Sequence, residues 1–196
     1  MEKRKRVILG VTGASGSAYA RRALEALAAA GVETHLVISK AGEMTIRYEL
    51  GLSAREFAEP AAARYAVADV GAPISSGSFI TEGMLIAPCS VKTMSEIATG
   101  VTGGLISRAA DVVLKERRRL IVMVRETPLH LGHLRTMTQL AEMGAIIAPP
   151  LPAFYAEPQT VDDIVNHSVG RALDLLGVDT ALAKRWGEDL EKGRRS

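Results

Sequence analysis

The 196-residue chain is 47% apolar but only 4% aromatic, and its formal net charge is +2. That length suits one domain with a sizeable core of Ala, Val, Leu and Ile, and the small, dispersed positive balance argues against nucleic-acid binding. A single cysteine, Cys89, permits no intrachain disulfide and fits a reducing cytoplasm, while no apolar run approaches the roughly 20 residues that span a bilayer.

In chain order, Lys3-Arg4-Lys5-Arg6 reads as a solvated basic flank. With the apolar residues that follow, it imitates a secretory leader, but Gly10, Thr12, Gly13, Ser15 and Gly16 break up the would-be apolar core. The same residues make better sense as a buried parallel strand over 6–11, a Gly/Ser turn, and an Ala/Leu-rich helix over 17–30. A helix N-terminus behind a glycine turn is an anion site, and a phosphorylated cofactor is its natural guest. A tight strand-to-helix turn without a ligand is the plainer reading. The turn also looks like the opening of a short-chain dehydrogenase, but Tyr19 stands where the last glycine would be and no Tyr is followed four positions later by Lys. No Gly-Lys-Ser/Thr closes a Walker loop either.

Further strands are expected over 33–38, 83–87, 120–124 and 145–148, with helices over 41–50, 91–99, 107–116, 132–143 and 161–176. Strand alternating with helix predicts a single-domain α/β fold, a doubly wound parallel sheet in a Rossmann/flavodoxin-like three-layer sandwich. A single domain over 1–196 is expected, with a helical segment over about 178–196 packing at a subunit interface. In such sheets ligands gather beyond the carboxyl ends of the strands. Four exits there are polar: the first turn, Ser39-Lys40, Pro88-Cys89-Ser90-Val91-Lys92-Thr93, and Arg125-Glu126-Thr127-Pro128-Leu129-His130.

These exits, with Pro152-Ala153-Phe154-Tyr155, Arg185-Trp186-Gly187-Glu188, Ala109-Ala110-Asp111-Val112 and Leu114-Lys115-Glu116-Arg117-Arg118, resemble the flavin prenyltransferases of the UbiX-like family in order and approximate spacing. The resemblance covers nearly the whole chain. It implies a transferase that joins a dimethylallyl group from dimethylallyl phosphate to N5 and C6 of reduced FMN. The product, prenylated FMN, serves UbiD-like decarboxylases. It further implies a cytoplasmic homo-oligomer, a dodecamer whose pockets are shared between subunits, with no metal, nucleic acid or membrane involved.

Carried over by residue, the resemblance implies that Gly13, Ala14 and Ser15 hold FMN through the first turn, with Ser15 near N5. Ser39, Ser90, Val91, Lys92, Thr93 and Arg125 complete the FMN site. Tyr155 and Arg171 hold the donor, Lys115, Arg108 and Arg125 help neutralise its phosphate, Glu126 and Glu49 assist proton movement, and Trp186 lies near the prenyl group. The chemistry accounts for these residue types. Breaking an allylic C–O bond leaves positive charge on carbon and negative charge on phosphate; cations suit the phosphate, an aromatic face suits the carbon fragment, and closure at C6 needs a base.

Each residue also has a plainer reading. Cys89 reads as a small buried filler rather than a nucleophile. Arg108 and Lys115, seven apart, would form a solvated stripe, Glu49 an ordinary helix-surface carboxylate, and Trp186 a packing residue. Thr160-Val161-Asp162-Asp163 reads as a capping box rather than an Asp-rich metal motif, and the four histidines show no metal-ligand spacing. The alternatives in function are an FMN-dependent cysteine-type decarboxylase of the same fold, whose Pro-x-Met-Asn motif and early His are missing here, and a non-enzymatic FMN carrier.

Overall fold

The computed structural model describes residues 4–184. Its centre is a six-stranded, all-parallel sheet in the order β3-β2-β1-β4-β5-β6. The strands are β1 (Arg6–Val11), β2 (Glu33–Ile38), β3 (Ala63–Tyr65), β4 (Gly83–Cys89), β5 (Arg119–Val124) and β6 (Ile146–Ile147). The helices are α1 (Ser17–Ala29), α2 (Lys40–Leu50), α3 (Ala54–Phe57), α4 (Val91–Thr99), α5 (Leu105–Lys115), α6 (Leu131–Glu142) and α7 (Val161–Leu175). Every residue of β4 is buried, as expected for a central strand covered on both faces.

Alternation along β1 divides the core. Val7, Leu9 and Val11 join the apolar faces of α1 and α7 on one side of the sheet. Ile8 points to the other side, where Met84, Ile86, Met94, Leu105, Ala109 and Val113 pack. On α1 the small Ala20 and Ala23 and the larger Leu24 and Leu27 are all fully buried against the sheet side of the core.

The expected strands and long helices form, with ends that differ by up to two residues. The 51–82 stretch holds elements that periodicity missed. Its edge strand β3 has three residues, of which only Ala63 and Tyr65 are partly covered, so no alternating apolar run announces it. The one-turn helix α3 is set by a capping box between Ser53 and Glu56 rather than by an apolar stripe. The segment expected to be helical from about 178 has no helix over 178–184.

Candidate active site

The chain steps from β1 outward to β2 and β3, then returns to β4 and continues to β5 and β6. The direction of winding therefore reverses between β1 and β4, which opens a crevice beyond their carboxyl ends. The first turn and the Pro88–Thr93 exit face each other there. The exits of β2 and β5 flank them on either side.

The first turn is shaped by two glycines. A Cβ on Gly13 would stand 2.5 Å from the Ala41 Cβ, so only glycine lets α2 approach this closely. Gly16, at φ 111°, takes a left-handed conformation before α1 starts. Ser15 is exposed between them. Although an open anion site was expected at the N-terminus of α1, the protein fills much of it with its own carboxylate. Glu49, near the end of α2, accepts from the Gly16 N–H at 3.1 and 3.0 Å and from the Ser17 N–H at 2.7 Å.

Glu49 is therefore a cap on α1, not an ordinary surface group. Partial burial raises its pKa, but hydrogen bonds from the Ser15 hydroxyl and the Ser17 and Gly16 N–H groups outweigh that and hold it below its usual value. The turn keeps Ser15 and Glu49 together.

Two other helix N-termini remain open to an anion. Ser39 caps α2 by accepting from the Gly42 N–H at 3.0 Å, and Ser90 caps α4 by accepting from the Thr93 N–H at 3.4 Å. Helix geometry leaves the N–H groups of Lys40, Ala41, Val91 and Lys92 without intrahelical acceptors. Lys92 is highly exposed and pairs with Glu96 at 3.0 Å. On the β5 exit, the Arg125 N–H donates to the Cys89 carbonyl at 3.1 Å, and its guanidinium lies close enough to Tyr19 to oppose the burial that raises that phenol's pKa. Glu126 is half-buried beside it, accepting from the Thr127 N–H at 3.0 Å. The donor set of hydroxyls, helix N–H groups and two cations matches a phosphomonoester, and the Gly13–Ser15 turn lies beside it.

The remaining expected site residues do not converge on this crevice within one chain. Lys115 ends α5, four residues before β5 begins, and pairs with Glu116 at 2.6 Å. Five steps along β5 at about 3.3 Å each place it roughly 17 Å or more from the strand exits, because a crossover helix returns the chain to the start of the next strand. Arg108, seven residues earlier, pairs with Asp111 at 2.7 Å. Arg171 lies in the last turns of α7, paired with Asp174 at 2.9 Å, near where the Leu175 carbonyl accepts from Arg119 at the start of β5.

Tyr155 makes a separate group with α7. Its hydroxyl lies 3.1 Å from Nε2 of the buried His167, with the rings edge-on, and Arg171 follows His167 one turn later on the same face. His167 and Thr12 are the neighbours that residue patterns did not single out; the Thr12 partners Pro88 and Ser90 lie 76 and 78 residues away in sequence, so no local pattern marks it. Trp186 lies outside the described residues.

Cys89 is wholly buried, and burial pushes its thiol up to about 12, which suits a filler and not a nucleophile. The Thr160–Asp163 capping box forms. No group of three or more His, Cys, Asp or Glu able to hold a metal occurs among the described residues.

Comparison with known proteins decides the family. The flavoprotein family model matches residues 1–173. The flavin prenyltransferase UbiX of Thauera aromatica is 52% identical over 187 residues, covering 95% of this chain and 96% of the relative. The chain belongs to the UbiX flavin prenyltransferase family. Among UbiX structures, AnUbiX (PadA1) in complex with FMN and dimethylallyl pyrophosphate superimposes with a TM-score of 0.93 at 45% identity, covering 94% of this chain and 98% of that one. A dodecameric FMN-dependent UbiX-like decarboxylase from Escherichia coli O157:H7 gives 0.90 at 49% identity, with 92% and 98% covered.

Proposed function

We propose that this protein is a flavin prenyltransferase that transfers a dimethylallyl group to N5 and C6 of reduced FMN, supplying prenylated FMN to UbiD-like decarboxylases in the cytoplasm. The observation that carries the reading is the crevice between β1 and β4. There the Ser15–Glu49 turn lies beside two serine-capped helix N-termini, in a chain of the UbiX family. When bound, reduced FMN supplies the nucleophilic atoms.

Ser39, Ser90, Val91, Lys92, Thr93 and Arg125 hold the FMN phosphate, and Gly13, Ala14 and Ser15 seat the ring. Tyr155 and Arg171 grip the phosphate of dimethylallyl phosphate, stabilising the electron pair it takes as the allylic C–O bond breaks. Glu126 receives the proton lost on closure at C6, and the Ser15–Glu49 pair orders the turn against N5. Because Lys115 and Arg171 lie away from the crevice of their own chain, they act, with Arg108, in pockets completed between subunits of a homo-oligomer, a dodecamer. Exposed Leu129, Leu131, Leu134, Leu151, Phe154 and Val161 offer apolar surface for that assembly. Among the described residues no helix is long and apolar enough to cross a membrane.

The test is anaerobic mixing of the protein, reduced FMN and dimethylallyl phosphate, followed by flavin absorbance. A donor-dependent spectral change that needs the protein supports the transfer; reduced FMN that is bound but unchanged supports a non-enzymatic carrier instead.

A further inference from the structure

The Thr12 side chain makes two long-range bonds where the sheet stops making its own. The β1–β4 ladder runs to Gly10 opposite Ile86, and the β4–β5 pairing is irregular between Ile86 and Cys89. Beyond that point Pro88 has no N–H to offer a neighbouring strand. Thr12 bridges the gap: its hydroxyl donates to the Pro88 carbonyl at 2.6 Å and accepts from the Ser90 N–H at 2.8 Å. The residue is 1% exposed, so water cannot replace it readily.

Neighbouring exits are tied on either side by backbone, Ser39 N–H to the Val11 carbonyl at 2.9 Å and Arg125 N–H to the Cys89 carbonyl at 3.1 Å, and α2 adds side-chain ties to the first turn through Thr45 and Glu49. Between β1 and β4 a hydroxyl makes the connection. Thr12 immediately precedes Gly13-Ala14-Ser15, and its two partners bracket Cys89 at the entry to α4. One side chain thus sets the spacing between the turn assigned to the flavin ring and the helix N-terminus assigned to the phosphate.

We propose that Thr12 is a positioning residue for FMN, holding the Ser90–Thr93 segment in register with the first turn. The inference rests on the FMN reading above. Threonine's methyl contributes packing alone, so the hydroxyl carries the effect and serine retains it.

Thr12→Val keeps the shape but leaves the Pro88 carbonyl and Ser90 N–H unpaired in a buried place. A cost of about one to two powers of ten in FMN Kd is expected, measured by fluorescence quenching on the folded oligomer. Thr12→Ser binds FMN like the wild type. In steady state Thr12→Val raises the KM for FMN while the KM for dimethylallyl phosphate and the kcat at saturating FMN stay near wild type, a split that general destabilisation does not produce. Thr12→Val binding FMN as tightly as wild type, or losing kcat without a change in the KM for FMN, overturns the proposal. If Thr12→Val does not fold, Thr12→Cys, a weak donor and acceptor of similar size, is compared with Thr12→Ser. Weaker FMN binding by the cysteine variant upholds the inference, and equal binding by the two overturns it. A wild-type protein that fails to bind FMN at all defeats the functional reading first, and is a distinct outcome.

Discussion

Replacing Glu49 tests the electrostatic structure of the first turn. Its carboxylate receives two backbone N–H groups at the start of α1, Gly16 and Ser17, from a position 32 and 33 residues away in sequence. Glu49→Gln keeps the shape and one acceptor oxygen but removes the charge facing the helix N-terminus, a loss of about 0.3–1 kcal/mol. Glu49→Ala also removes the acceptor. By analogy with a lost N-cap at a partly hydrated site, the total is about 1–2 kcal/mol, or roughly 2–8 °C in Tm for a domain of this size. Denaturant titration at fixed protomer concentration measures both, with Glu59→Gln, an exposed carboxylate elsewhere, as the control.

The pH dependence follows from the sign of the pKa shift. The folded pKa of Glu49 is below its ordinary 4.5, so its contribution is fully present above that value and is lost as pH falls through the folded pKa. The stability gap between wild type and Glu49→Gln is therefore constant near neutrality and closes in acid. An alanine variant as stable as the wild type near neutral pH, or a gap that widens on acidification, refutes the capping argument.

Gly13→Ala forces a methyl to within 2.5 Å of Ala41, so α2 must shift and FMN binding, read by fluorescence titration, is expected to fall by at least tenfold, about 1.4 kcal/mol. Cys89, with its thiol raised to about 12, should resist a disulfide exchange reagent at mildly alkaline pH until the protein is unfolded; fast labelling of the native protein would contradict its placement. Glu126→Gln should bind FMN normally yet slow single-turnover prenylation, whereas Arg171→Ala should chiefly raise the KM for donor; wild-type rates from Glu126→Gln would move the proton to the departing phosphate or another base.

Much of the architecture was legible because β1, β4 and β5 are largely apolar runs, β2 ends in the apolar Leu36-Val37-Ile38, and strand-like and helix-like segments alternate along the chain. The glycine turn was legible from its residue types, whereas Ser39 and Ser90 were read as polar strand exits and only the structure shows them capping α2 and α4. What escaped depends on contacts distant in sequence. Glu49 looks like a surface carboxylate in the pattern of α2, and only folding lays it on the start of α1. Thr12 is one residue of a Gly/Ser-rich string until Pro88 and Ser90 arrive beside it. β3 is too short and too exposed to mark itself. The resemblance groups Lys115 and Arg171 with the crevice, but the crossovers carry both toward the amino ends of the strands, near the start of β5.

Mass spectrometry of flavin extracted after anaerobic incubation with reduced FMN and a prenyl donor tests the central claim most directly, with dimethylallyl phosphate and dimethylallyl pyrophosphate supplied separately. The account predicts FMN heavier by one prenyl unit, formed with the monophosphate and dependent on the folded protein. Recovery of unmodified FMN with both donors, from protein that binds FMN stoichiometrically, would contradict it.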